Sequence, residues 1–187
     1  MDGAIRPSQP LWPTLIANFI RLLGPDDVGR AVCLAPSPAL LVEGLREWSS
    51  QITPIQSSQA SQLRPHSDGP FDAVVVLAED HVPPLAPLAQ AAASEAVLYL
   101  LTPQRLAHRA AIEIRNGGWR VSARYLVKPG IGYPHTIVPD SVQSVLAFLD
   151  QEPPRRALPR SLLRALLMTR WRPAFFGGRI FVARRSL

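Results

Sequence analysis

At 187 residues, with 47% hydrophobic and 18% charged residues, the chain can bury a sizeable core in one soluble domain and is not disordered. Its single cysteine, Cys33, excludes an internal disulfide framework and leaves cysteine-rich zinc sites without ligands. The formal charge of +6 is uneven: from Gln151 to Leu187 nine arginines accompany one acid, Glu152, for +8, which leaves residues 1–150 at −2.

No apolar run approaches the roughly 20 residues of a membrane span. The start, Met1 to Pro7, lacks the cationic and apolar blocks of a signal peptide. A cytoplasmic setting is expected, with the basic tail allowing a peripheral membrane position. Lys128 is the only lysine among 20 basic residues, a bias that reflects genome composition better than selection for guanidinium contacts.

Trp12 to Leu23 spaces Leu15, Ile16, Phe19, Ile20, Leu22 and Leu23 as a helix does, and Gly24-Pro25 stops it. Ala31 to Leu34 is a short apolar strand. A loop of small residues follows, and Leu40 to Trp48 reads as helix. Gln51 to Gln56 is a weaker strand, and Ser57 to Pro70 a polar, turn-rich linker. Phe71 to Ala78 is apolar except at Asp72, as a strand covered on both faces should be. Leu85 to Ala93 reads as an alanine-rich helix and Ala96 to Leu101 as a second buried strand.

Arg105 to Arg115 is a further helix, ended by Asn116-Gly117-Gly118. Trp119 to Val127 alternates as a strand does. Lys128 to Pro139, with three prolines, is expected as loop. Ser141 to Leu149 and Leu158 to Met168 read as helices, and Arg179 to Arg185 as a terminal strand. Strands alternating with helices imply an α/β fold with a mostly parallel central sheet and helices on both faces. Residues 1–150 are expected to form this domain, and 151–187, a basic helical tail and terminal strand, to complete it.

In order and spacing, these segments resemble the class I S-adenosylmethionine-dependent methyltransferases, a Rossmann-like fold with a late antiparallel strand. Asp68-Gly69-Pro70-Phe71-Asp72-Ala73-Val74 is similar to the family's D-G-x-F-D-x-V, Asp80-His81-Val82-Pro83 to its E-H-V-P, and Gly117-Gly118-Trp119-Arg120-Val121 to its late G-F-x-V strand. The family's first motif, an aspartate before G-x-G-x-G, falls on Cys33 and on Ala35, Ser37 and Ala39. Its ribose-binding acid falls on Gln56.

The resemblance makes Ala35, Ser37, Ala39 and Gln56 vestigial cofactor positions. Added Cβ atoms would press on a cofactor, and Pro36 and Pro38 remove two backbone donors. Only about a dozen residues separate Gln56 from Asp68, too few for a helix and a strand when a whole crossover needs roughly 10 or more. One βα unit, the one that forms the adenine side of the family's pocket, is therefore expected to be missing.

Asp80, His81 and His135 are the candidate cleft residues. His81 could act as a base or could cap the following helix. His135, in the loop that often covers substrate in the family, could equally be a solvated histidine. Asp72 reads better as a sheet anchor than as a reacting group, and Cys33 as a small buried hydrophobe. No residue is assigned a catalytic role, and the four histidines have no metal-ligand spacing.

In the tail, Leu158, Leu162, Leu163, Leu166 and Leu167 form an apolar stripe beside Arg160 and Arg164, with Arg170 and Arg172 following. A core-packed helix with a solvated basic face, a helix on anionic lipid and a docking surface for an acidic partner all fit. Nucleic acid is not expected, since no recognised binding motif accompanies the arginines.

Two functions follow, beside a third, a membrane-surface or scaffold module, that rests on the tail alone. One is a degenerate, non-catalytic member that acts as an accessory or partner-binding subunit, with no cofactor and a protein partner. The other is an active enzyme that still binds S-adenosylmethionine and methylates a small-molecule or lipid-linked substrate.

Overall fold

The computed structural model describes residues 19–20, 28–46, 48–49, 51–62, 69–128, 136–151, 161, 165 and 176–185. The strands are β1 (Arg30–Ala35), β2 (Gln51–Gln56), β3 (Phe71–Leu77), β4 (Ala92–Pro103), β5 (Trp119–Lys128), β6 (Thr136–Pro139) and β7 (Gly178–Arg185). The helices are α1 (Pro38–Leu45), α2 (Ala86–Ala91), α3 (Ala107–Asn116) and α4 (Val142–Gln151), with short 3-10 turns at Ser57–Gln62 and Gln104–Leu106.

All seven strands join one sheet in the order β2-β1-β3-β4-β7-β5-β6. The first four are mutually parallel, and β7 runs antiparallel between β4 and β5. The apolar run of β3 explains its place: it lies between β1 and β4, and Val74, Val75 and Val76 are wholly buried, two toward one face and one toward the other. Each such valine contributes about 1.5–3 kcal/mol of burial. Leu98 and Leu100 of β4 meet α2 and α3 on one face, while Tyr99 and Leu101 share the other with Leu41 and Leu45 of α1.

The N-terminal ends of β1 and β3 are tied by a turn that needs glycine. Gly29 has φ +60, and the next residue, Arg30, donates its backbone N–H to Asp72 Oδ2 at 2.9 Å. The Ser49 hydroxyl donates to the Gly29 carbonyl at 2.6 Å. Asp72 is thus the sheet anchor expected of it. At the end of α3, a Cβ on Gly117 would stand 2.9 Å from the Leu85 Cβ, so glycine there permits the helix to close on the residues leading into α2.

The missing βα unit is borne out. Among the described residues no strand lies outside β2, and only the Ser57–Gln62 turn stands between Gln56 and Gly69. Two expectations need correction. Thr136–Pro139, expected as loop, pairs antiparallel with β5 as an edge strand, because Val138 is buried with Leu126, Val145 and Phe176, and proline is tolerated at a sheet margin. The helix expected to reach Ala93 stops at Ala91, because Ala92 already pairs with Phe71 in the sheet. The Trp12–Leu23 and Leu158–Met168 helices lie largely outside the described residues.

Candidate functional site

β1 is flanked by β2 on one side and β3 on the other, so the strand order reverses at its C-terminal end, where open α/β sheets form their crevice. A cleft of about 200 Å³ lies there, lined by Pro36, Gln56, Ser57, Ser58, Glu79, Asp80 and His81. Three strand ends build it. Pro36 follows β1, Gln56 to Ser58 end β2 and begin its turn, and Glu79 to His81 follow β3.

Of the residues singled out from sequence, the structure brings Gln56, Asp80 and His81 together. Ala35 is instead buried at the end of β1, on the α1 side of the core, and Ser37 and Ala39 do not line the cleft. Ser37 stands at the α1 N-cap position without a side-chain capping bond. Left-handed backbone in the described residues occurs only at Gly29, Gly69 and Gly118, so the Ala35–Ala39 loop turns through conformations open to any L residue. His135, Arg160, Arg164, Arg170 and Arg172 lie outside the described residues, as does Asp68.

His81 is exposed and does not cap α2, whose N-cap is Leu85 with no side-chain capping bond. Asp80 is met by Arg105, from the turn after β4, at 3.3 Å, and the same Nη2 donates to the Glu79 carbonyl at 2.6 Å. With side chains 61% and 87% exposed, this ion pair contributes little to stability, but it ties the post-β3 loop to the next strand. Cys33 lies in the middle of β1, and burial pushes its thiol up to about 12, so it is protonated at neutral pH and no nucleophile. Among the described residues no three acidic, histidine or cysteine side chains converge to hold a metal.

Sequence reasoning missed Ser57, Ser58, Glu79 and Arg105. A Ser-Ser pair after a strand and an arginine after Thr102-Pro103 carry no local signal, because their role depends on which strands become neighbours. The Ser57 hydroxyl oxygen is buried without a hydrogen-bond partner among the described residues.

No protein-family model matches the chain, and no curated protein matches it in sequence. Solved structures do. A candidate hemolysin from Lactococcus lactis superposes over 97% of this chain and 90% of its own, at 7% identity and a TM-score of 0.57. One from Streptococcus thermophilus covers 99% and 70%, at 6% identity and 0.56. An S-adenosylmethionine-dependent methyltransferase from Archaeoglobus fulgidus covers 92% and 94%, at 10% identity and 0.50.

The chain has the class I methyltransferase fold. Within that fold, the cleft stands where a ligand crevice is expected, at the switch beside β1. Its volume lies below the roughly 300–1,000 Å³ usual for ligand pockets. Its β2 corner carries Gln56, an amide, where the resemblance places a carboxylate. Among the described residues no helix is long and apolar enough to cross a membrane.

Proposed function

We propose that this chain is a methyltransferase-fold protein without catalytic turnover, acting as an accessory or partner-binding subunit. The small cleft between β1, β2 and β3 carries the reading: Pro36 at its rim offers no N–H, and Gln56 at its ribose corner offers no negative charge. These residues do not fit S-adenosylmethionine, whose recognition in this fold relies on close backbone approach and on acids. The partner is a protein, bound in the cytoplasm, and the arginines of the tail, Arg160, Arg164, Arg170 and Arg172, add a basic docking surface that could also rest on anionic lipid. Titration calorimetry with S-adenosylmethionine tests the reading. No heat of binding is expected at sub-millimolar ligand, and low-micromolar affinity would overturn it.

A second reading has its own observation. The Ser57 hydroxyl beside Gln56, buried and without a partner among the described residues, offers a hydrogen-bonding position of the kind a ligand hydroxyl could satisfy. If calorimetry finds tight binding, the protein is an S-adenosylmethionine-dependent methyltransferase of a small-molecule or lipid-linked substrate, with its pocket rebuilt around that serine.

A further inference from the structure

Arg120 of β5 and Arg184 of β7 are direct cross-strand partners, both exposed, and neither makes a hydrogen bond or ion pair among the described residues. Directly opposed residues on antiparallel strands hold their Cβ atoms about 5 Å apart, and like charges so placed destabilise a sheet. The neighbouring arginines are used differently. Arg185 donates to the Ala92 carbonyl, Arg179 pairs with Asp140, and Arg105 pairs with Asp80. Arg124, beyond a bulge in β5, has Phe181 as its cross-strand partner.

We infer that the Arg120–Arg184 pair is a docking point for an acidic protein segment, whose carboxylates bridge the two guanidinium forks. The inference names the partner chemistry of the accessory role proposed above and rests on that reading.

Charge and surroundings together select this occupant. Forks on two directly opposed residues can each donate paired hydrogen bonds to a carboxylate, and a bound acid offsets the like-charge repulsion that this register implies. A lipid surface would call for apolar side chains to insert beside the charges. The exposed large hydrophobics among the described residues are Ile112 and Val142, on α3 and α4 and not on this strand pair. Single-stranded nucleic acid would call for exposed aromatic rings to stack on. The aromatic residue on β5 next to Arg120, Trp119, is buried and donates through Nε1 to the Leu85 carbonyl.

The test uses the full chain and a fluorescent poly-glutamate peptide, titrated at low salt, about 20 mM, where exposed charges are least screened. Phosphatidylserine vesicles and a single-stranded oligonucleotide are titrated in parallel. The double substitution R120Q/R184Q should weaken peptide binding by up to about thirtyfold, the loss of two exposed charge pairs, and by more than the control below. The control R109Q/R115Q, on α3, changes the net charge equally and should leave binding within about twofold. Because R120Q/R184Q removes a repulsion, its melting temperature should hold or rise, so weakened binding will not come from unfolding. Equal loss in both variants, no peptide binding, or a larger loss of vesicle or oligonucleotide binding than of peptide binding in R120Q/R184Q would overturn the inference. Calorimetry with S-adenosylmethionine judges the accessory reading separately, so the failure of either can be told from failure of the other.

Discussion

Asp72 accepts the backbone N–H of Arg30 at 2.9 Å, and its Oδ2 occupies the space where a Cβ on Gly29 would be placed. One carboxylate therefore does two things at the N-terminal end of the sheet. It tethers β3 to β1, and it fills the volume that makes residue 29 a glycine.

This geometry gives a coupled outcome. Asp72→Ala removes a charge-assisted bond at an exposed site and should cost about 1–2 kcal/mol. Gly29→Ala adds a left-handed backbone penalty of roughly 1–2 kcal/mol and displaces the carboxylate. Once the carboxylate is displaced, its removal matters less, so the double variant should cost less than the sum by at least about 0.5 kcal/mol. Urea unfolding of all four proteins measures it, and strict additivity would refute the shared geometry.

A second outcome concerns alkaline stability. Burial pushes the Cys33 thiol from 9.0 up to about 12 and also raises Tyr99 from 10.0 to about 12. The unfolded chain releases the Cys33 proton first, so between about pH 9 and about pH 12 the native state holds more protons and stability falls as pH rises. Below about pH 9 the contribution is fully present. The slope approaches about 1.4 kcal/mol per pH unit for Cys33 alone. Cys33→Ala should flatten the decline above about pH 9 without abolishing it, since Tyr99 remains, and a thiol reagent at about pH 8 should leave the native cysteine unmodified.

The far edge of the sheet supplies a third outcome. Arg179 at the start of β7 pairs with Asp140 after β6 at 3.4 Å, with side chains only 13% and 8% exposed. Breaking a nearly buried pair costs roughly 3–5 kcal/mol at full burial, and less where, as for Arg179 over the Phe181 ring, other contacts remain. Asp140→Ala should accordingly lower stability by about 2–4 kcal/mol, far more than the exposed Asp80→Ala at the other ion pair. Equal effects at the two sites would contradict the burial argument.

Local patterning made β1, β3 and β4 legible, because Ala31 to Leu34, Val74 to Leu77 and Val97 to Leu101 are apolar runs that only a sheet with two covered faces explains. The lost βα unit was legible from the short Gln56-to-Asp68 spacing once the resemblance said what should fill it. β6 was not, since its proline-rich surroundings speak for loop while its pairing depends on Leu126 and Phe176, distant in sequence. The cleft was half legible. Gln56, Asp80 and His81 follow from the resemblance, but Ser57 joins the cleft, and Arg105 reaches Asp80 at its edge, only through strand order, which no local window contains.

The last outcome returns to the loop between β1 and α1. Removing one charge-assisted hydrogen bond from a cofactor site costs roughly 1.5–3 kcal/mol. Two independent removals, at the Cys33 and Gln56 positions, multiply a dissociation constant by about 10² to 10⁴. Glycine at Ala35, Ser37 and Ala39 would restore the family's pattern but not those charges, and the loop needs no left-handed residue to turn. The triple variant A35G/S37G/A39G should therefore remain silent in calorimetry with sub-millimolar S-adenosylmethionine. It should also lose about 1–2 kcal/mol of stability, since glycine at strand and helix positions costs roughly 0.5–1 kcal/mol each. Recovery of micromolar binding by the glycines alone would show that Cβ bulk was the whole obstacle, and the enzyme reading would then replace the accessory one.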